Sequence, residues 1–300
     1  MKPVDFELHR PETLSEAVAL LAEHGDDGKV LAGGQSLVPL LNFRLARPEH
    51  LIDLGRIASL KTIRRTPQRL TIGAMVTHAQ AERSTAVAQG APLMARAFPY
   101  IAHQAIRARG TVGGSIAHGD PAAELTAVAV ALEATMVAVG PSGIREIPAR
   151  DFFIANLVTA LEHDEVLTEV RIAAPEGPTG AAFEEVGRRH GDFALVGAGA
   201  QVRLAQDGTI ADIRICLTGV SPTPHRAAEA EALLIGYVLS PERTERAADA
   251  TRDVLNPSSD LHATADYRRD VAGTLVSRAV QTAVLRATFD MTALAMEGTA

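Results

Sequence analysis

Two short clusters carry most of the chemistry this sequence offers: Ala32-Gly33-Gly34-Gln35-Ser36 and Thr111-Val112-Gly113-Gly114-Ser115. Each sets two consecutive glycines beside hydroxyl or amide side chains. Glycine has no Cβ, so paired glycines can take positive φ and turn successive N–H groups toward one point, a nest that binds an anion such as phosphate. The hydroxyls add donors at the rim. Two nests suit a pyrophosphate, whose linked phosphates present more oxygens than one loop satisfies. Backbone dipoles act at short range, so an acidic chain can hold an anionic ligand in this way. Two ordinary glycine turns are the plainer reading of the same residues, and spacing alone does not name the ligand.

The elements that must position these clusters are short and mixed. Leu14, Val18 and Leu21 recur at helical spacing over Pro11 to His24, with Thr13 and Glu16 placed as a capping box and Gly25 as the stop. Lys29 to Ala32 reads as a strand running into Gly33-Gly34, and Ser36 to Leu45 as a helix-like segment containing Pro39. Leu51 to Leu54 and Leu70 to Ile72 are predicted strands, and Thr77 caps a helix beginning at Ala79. A helix over Ala91 to Ile106, bent or divided by Pro99, delivers the chain into the second cluster. Pro121 opens an apolar helix through Leu132. Ala134 to Val139 and Ile144 to Ile147 flank a hairpin turn, and Val166 to Ile172 is a further strand.

The Pro- and Gly-rich stretch Ala173 to Gly180 is the best linker candidate. Beyond it, Ala194 to Ala205 and Ile210 to Gly219 alternate around Asp207-Gly208 as a hairpin. Ser221-Pro-Thr-Pro introduces a helix, and two more follow over Pro241 to Val254 and Tyr267 to Leu285. Periodicity weakens after Arg286, where fraying is expected.

Other residues invite chemistry less strongly. Val196-Gly-Ala-Gly-Ala-Gln-Val202 imitates a dinucleotide fingerprint, but Val202 stands where the last small residue belongs and a hairpin turn, not a helix, follows. Its small residues read as close strand packing. Ser36 and Ser115 lack the closing glycine of a Gly-x-Ser-x-Gly elbow, which argues against acyl transfer. His118, Asp120 and Glu124 could suggest a metal, yet no second histidine or cysteine companion stands at ligand spacing. Arg107, Arg109, Arg188, Arg189 and His190 could meet phosphate or a partner, although solvated surface arginines are commoner. Cys216 reads as a small core residue.

Composition bounds the function. The 300 residues are 47% hydrophobic and 22% charged, enough to build a sizeable core and more than one domain. Net charge is −7 with scattered Lys and Arg, which gives a nucleic-acid groove no electrostatic support. The single cysteine excludes an internal disulfide, a cysteine-ligated iron–sulfur cluster and zinc sites built on Cys pairs, and it fits a cytoplasmic setting. Asp5 and Glu7 sit where a signal peptide needs apolar residues, and no uninterrupted apolar run approaches about 18 residues, so neither export nor a transmembrane segment is expected.

Four motifs in order, KVLAGGQSLVPLLNFRL, LTIGAMVTHAQ, IRARGTVGGSIAHGDPAAEL and TGVSPTPHRAAEAE, resemble the FAD-binding medium subunit of the molybdenum hydroxylases, the xanthine dehydrogenase and carbon monoxide dehydrogenase family. The resemblance spans roughly residues 1–286. It implies an α+β fold: a two-subdomain FAD-binding domain of the PCMH type over 1–175, a smaller domain of antiparallel sheet plus helices over 176–286, and a tail over 287–300. It further implies that Ala32, Gly33, Gly34, Gln35 and Ser36, with Thr111, Val112, Gly113, Gly114 and Ser115, cradle the FAD pyrophosphate and its neighbours. Lys29 and Leu31 would approach the adenosine end, Ile101 the ring system and Leu167 the isoalloxazine, while Glu124 would bond a cofactor hydroxyl or ring. Some members carry a basic residue near the flavin where Glu184 stands here.

The same resemblance implies a large molybdopterin subunit, a small subunit with two [2Fe–2S] clusters, and assembly as a heterotrimer or a dimer of heterotrimers. Electrons would pass from the clusters through FAD to an external acceptor. A self-contained FAD-dependent oxidoreductase and an FAD-free scaffold subunit are the alternatives.

Overall fold

A computed structural model describes residues 2–297 and the side chains of residues 2–292. The chain opens with a small parallel sheet. Its strands β1 (Glu7–His9), β2 (Gly28–Leu31) and β3 (His50–Asp53) lie in the order β1-β3-β2, with the helices α1 (Leu14–His24) and α2 (Leu37–Asn42) between them in sequence. The capping box at Thr13 and Glu16 forms as the sequence predicts, and Gly25 ends α1 at φ 53°. Parallel neighbours need crossovers. Here α1 carries the chain from β1 to β2, which lie apart with β3 between them, and α2 with the turn after it carries the chain from β2 to its neighbour β3.

A five-stranded antiparallel sheet follows, in the order Ile63–Arg65, Arg69–Gly73, Val166–Ala173, Thr135–Gly140, Gly143–Pro148. The predicted hairpin at Gly140 to Gly143 forms, with Gly143 at φ 110°. Thr77 caps a helix that begins at His78 rather than Ala79, with Gln80 completing a second capping box. The expected helix over Ala91 to Ile106 is divided as Pro99 requires, into Pro92–Ala97, a 3-10 turn Phe98–Tyr100 and a short helix Gln104–Arg107. The apolar helix after Pro121 spans Glu124–Ala131 and is buried on nearly every face, as a helix without a polar side must be.

The third sheet has four antiparallel strands, Thr179–Val186, Val196–Leu204, Ile210–Thr218 and His225–Arg226. Two corrections to the sequence reading belong here. The Ser221-Pro-Thr-Pro turn leads first into the short strand His225–Arg226, and the helix starts only at Ala228. The last helix runs Ala265–Glu297, past Leu285 and the Arg286 beyond which the sequence predicts fraying; Ala283 and Ala287, buried against the sheet, anchor it across that point. Pro241–Val254 forms as predicted.

Gly180, Gly197 and Gly199 let these layers close. A Cβ at Gly180 would stand 2.0 Å from the Ala283 carbonyl oxygen, and one at Gly199 would meet Cys216 Sγ at 2.8 Å and Phe183 at 2.9 Å. The fingerprint-like segment is therefore packing, on a strand. The core runs between the two larger sheets: Leu93, Met94, Phe98 and Leu125 pack in one cluster with Phe183 and Cys216. Among the described residues no helix is long and apolar enough to cross a membrane.

Candidate functional site

The parallel strands β2 and β3 end side by side, and a cleft of about 890 Å³ opens at those ends. Leu31, Ala32, Gly33, Gly34 and Gln35 form one wall, continued by Val38 and Pro39 of α2. Asp53, Gly55 and Lys61 form another, and Arg109 enters from the loop before the second glycine cluster. This is a ligand-sized space at the carboxyl end of a parallel sheet, where crevices form because the chain leaves adjacent strands in different directions.

The first cluster is built to meet an anion. Among the described residues, the N–H groups of Gly33, Gly34, Gln35 and Ser36 donate to no protein acceptor. Gly34 takes φ +73°, its carbonyl accepts from Val38 N–H at 3.0 Å, and the Gln35 side-chain amide donates to the Gly33 carbonyl at 3.1 Å. The loop is thus fixed while its donors stay free. Two cations share the cleft, Lys61 and Arg109. Lys61 Nζ donates to the Gly55 carbonyl, and Asp53 Oδ1 accepts from Gly55 N–H at 2.8 Å, which holds that wall in place.

The second cluster differs from the nest the sequence suggests. Gly113 and Gly114 do not have positive φ; they lie in the first turn of the helix Val112–His118, capped by Thr111, whose Oγ1 accepts from Gly114 N–H at 3.1 Å. The other amides are also engaged: Val112 N–H donates to the Val76 carbonyl and Gly113 N–H to the Ala74 carbonyl, each at 2.9 Å, and Ser115 N–H donates to the Thr111 carbonyl at 3.0 Å. Its glycines serve close approach instead. A Cβ at Gly113 would lie 2.3 Å from the Ala74 Cβ, and one at Gly114 would lie 3.2 Å from the Ala32 Cβ. A Cβ at Gly33 would fall 2.2 Å from the Arg109 carbonyl oxygen. The two clusters are therefore one structure: the second is a wedge that seats the first and brings Arg109 to it.

The remaining candidates divide. Leu31 joins Ala32 to Gln35 on the cleft wall. Lys29 is exposed on β2, close enough to His118 that its charge helps lower that imidazole below the ordinary range, after the larger effect of burial and against the opposing pull of Asp120. Val112, Ile101 and Leu167 are core residues at 0%, 7% and 5% exposure. Glu124 is buried, and desolvation chiefly, with Asp120 adding to it, pushes its carboxyl up to about 7. Nearby Glu185 is pushed up to about 8 by burial and then by Glu124, and its Oε2 has no partner among the described residues. A carboxyl in that setting keeps a proton near neutrality and can donate it in a hydrogen bond.

Sequence reasoning missed Lys61, Asp53 and Glu185, which carry no motif. Arg109 had a signal, two positions before the second cluster, but surface statistics outweighed it. Arg107, by contrast, is structural: it pairs with Glu82 at 3.0 Å and donates to the carbonyls of Ile101 and Ala102. Arg188 pairs with Asp192 at 3.4 Å. Among the described residues, His118, Asp120 and Glu124 do not converge as metal ligands. Cys216 is fully buried, and desolvation pushes its thiol up to about 12.

Comparison with known proteins agrees with this geometry. The family described as FAD binding domain in molybdopterin dehydrogenase matches residues 4–175, and the CO dehydrogenase flavoprotein C-terminal domain matches residues 181–283. The 6-hydroxypseudooxynicotine dehydrogenase complex subunit alpha of Paenarthrobacter nicotinovorans is 41% identical over 96% of this chain and 97% of its own. The carbon monoxide dehydrogenase medium chain of Hydrogenophaga pseudoflava is 42% identical over 95% and 99%. A solved structure of carbon monoxide dehydrogenase from the same organism, lacking the Mo-pyranopterin moiety, superposes with a TM-score of 0.92 at 44% identity, covering 95% of this chain and 99% of that one. Free amides on a glycine turn, two cations and a ligand-sized cleft fit the pyrophosphate of a dinucleotide, and this chain belongs to the FAD-binding medium subunits of the molybdenum hydroxylases.

Proposed function

We propose that this chain carries electrons between a partner's iron–sulfur clusters and an external acceptor, within a complex whose substrate is oxidised on a molybdopterin subunit. Four amides at Gly33 to Ser36 without partners among the described residues, on a loop whose Gly33, Gly34 and Gln35 line a cleft with Lys61 and Arg109, are the observation that carries this reading. Bound FAD supplies the redox chemistry, accepting and releasing electrons. The chain's own residues bind and orient it. The amides and the two cations would hold the pyrophosphate oxygens, while the missing Cβ of Gly33 lets the loop seat against the Arg109 backbone and glycine at position 34 permits its positive φ. Desolvation keeps the Glu124 and Glu185 carboxyls largely protonated near neutral pH, and Glu124 would bond a cofactor hydroxyl or ring, as the family resemblance implies. Ile101 and Leu167 close the apolar surroundings and exclude water.

The relatives support a substrate site elsewhere. Two chains of nearly equal similarity to this one are named for 6-hydroxypseudooxynicotine and for carbon monoxide, substrates with no shared recognition chemistry. A medium subunit that serves both kinds of enzyme has no need to read the substrate. Division into an FAD-binding part to about residue 175 and a second part beyond it, assembly with a large and a small subunit as a heterotrimer or a dimer of heterotrimers, and a cytoplasmic location complete the proposal. The two family matches, which end at 175 and resume at 181, favour that division.

Purification of the native complex tests it. One FAD per chain, with iron and molybdenum on co-purifying subunits, is expected. Folded chain that takes up no FAD in calorimetry overturns the cofactor assignment, and a flavoprotein that oxidises substrate without partners overturns the relay.

A further inference from the structure

Away from the cleft, three histidines from three different elements meet. His9 lies on β1, His24 ends α1 and His50 begins β3, and one ring nitrogen of each lies within 4.8 Å of the other two. His9 Nε2 and His50 Nδ1 are 3.0 Å apart, and the His24 and His50 rings stack with centroids at 3.7 Å. Glu7 completes the group, its carboxylate oxygens 3.9 Å from His9 Nε2 and 3.7 Å from His50 Nδ1.

The fold assembles this group for a specific reason. Glu7 pairs with His50 in register, and Glu7 and His9, two apart on one strand, face the same side of the sheet. On the other flank His50 pairs with Gly28, and a Cβ there would stand 3.2 Å from the His24 Cβ, so the bare glycine gives His24 its place beside His50. His50 and Gly28 start their strands, whereas Asp53 and Leu31, which line the cleft, end the same strands. Three residue steps, about 10 Å, separate the two places.

We propose that Glu7, His9, His24 and His50 bind a divalent transition-metal ion of the zinc type. Three imidazoles and one carboxylate are the donor set such an ion takes, at bond lengths of about 2.0–2.2 Å that put neighbouring ligand atoms about 3.3 Å apart in a tetrahedron. The observed separations of 3.0 to 4.8 Å bracket that value, so rotation of the His24 ring off its stack and a small swing of Glu7 close the site. Side-chain exposures of 17% at His9 and 21% at His50 leave an entry path from solvent. Bound metal ties the three-residue edge strand β1 to α1 and β3, a structural clamp independent of the flavin.

Zinc chloride titrated into the full FAD-loaded chain tests this. Expected are one zinc per chain by calorimetry, affinity lowered at least tenfold in His50→Gln and in His24→Gln, a melting temperature raised by zinc in wild type only, and unchanged flavin absorbance. Cobalt(II) added to the wild-type chain reads the site without any variant and should give the visible absorption of a four-coordinate ion. Equal zinc binding by wild type and both variants, or no such cobalt spectrum, overturns the proposal.

Discussion

Gly33 lies so close to Arg109 that a Cβ on the glycine would stand 2.2 Å from the arginine's carbonyl oxygen. The backbone of one glycine cluster is thereby seated against the loop that leads into the other, and the side chain of Arg109 is delivered to the cleft by the same contact.

Gly33→Ala should therefore separate the two loops. FAD affinity measured by flavin fluorescence is expected to fall at least about tenfold, equivalent to about 1.4 kcal/mol, with far-UV circular dichroism unchanged. Gly34→Ala has a different cause, since its φ of +73° disfavours any Cβ, and should cost about 1 kcal/mol of stability.

Arg109→Ala and Lys61→Ala remove the two cations of the cleft. Each should weaken FAD binding by roughly tenfold, in the range of a lost charge-assisted hydrogen bond. The dependence of log Kd on log salt should become shallower in both. Arg107→Ala, which breaks the Glu82 pair and two carbonyl contacts, should lower the melting temperature instead.

The buried carboxyls fix a pH dependence of stability. Glu124 at about 7 and Glu185 at about 8 both lie above the ordinary 4.5, so the folded chain holds protons that the unfolded chain releases, and stability falls as pH rises from 4.5 through 8. His78 works the other way: buried and lowered from 6.5 to about 4, it adds stability as pH rises to 6.5 and nothing further above. Above pH 6.5 the contributions of the lowered histidines fade, and each carboxyl lowers stability by at most about 1.4 kcal/mol per pH unit up to its own folded value. Urea denaturation of the FAD-free chain across that window should show the decline, and Glu185→Gln should flatten it.

Cys216 should be inert while the chain is folded. Burial holds its thiol protonated, so labelling by a disulfide reagent at pH 8 should require denaturant. Gly199→Val should expose it, because the new side chain collides with Cys216, Phe183 and Leu93, an overpacking that costs about 1–3 kcal/mol.

Much of the fold was legible because its signals are local. Thr13 with Glu16, Gly140 to Gly143, Asp207-Gly208 and Pro241 each act within a few residues, and each forms the predicted cap, hairpin or helix start. Four motifs in order also sufficed to place the chain in its family and to name its cofactor. What spacing could not decide was the role of each glycine. Gly33-Gly34 and Gly113-Gly114 look alike in sequence, yet among the described residues one loop leaves its amides free while the other spends them on its own cap Thr111 and on Ala74 and Val76, which only chain folding brings near. The cations of the cleft, the proximity of Glu124 to Glu185 and the meeting of His9, His24 and His50 have the same origin. Each joins segments tens of residues apart, and the energy that shifts a proton or aims a charge there depends on burial and distance, which the tertiary structure alone sets.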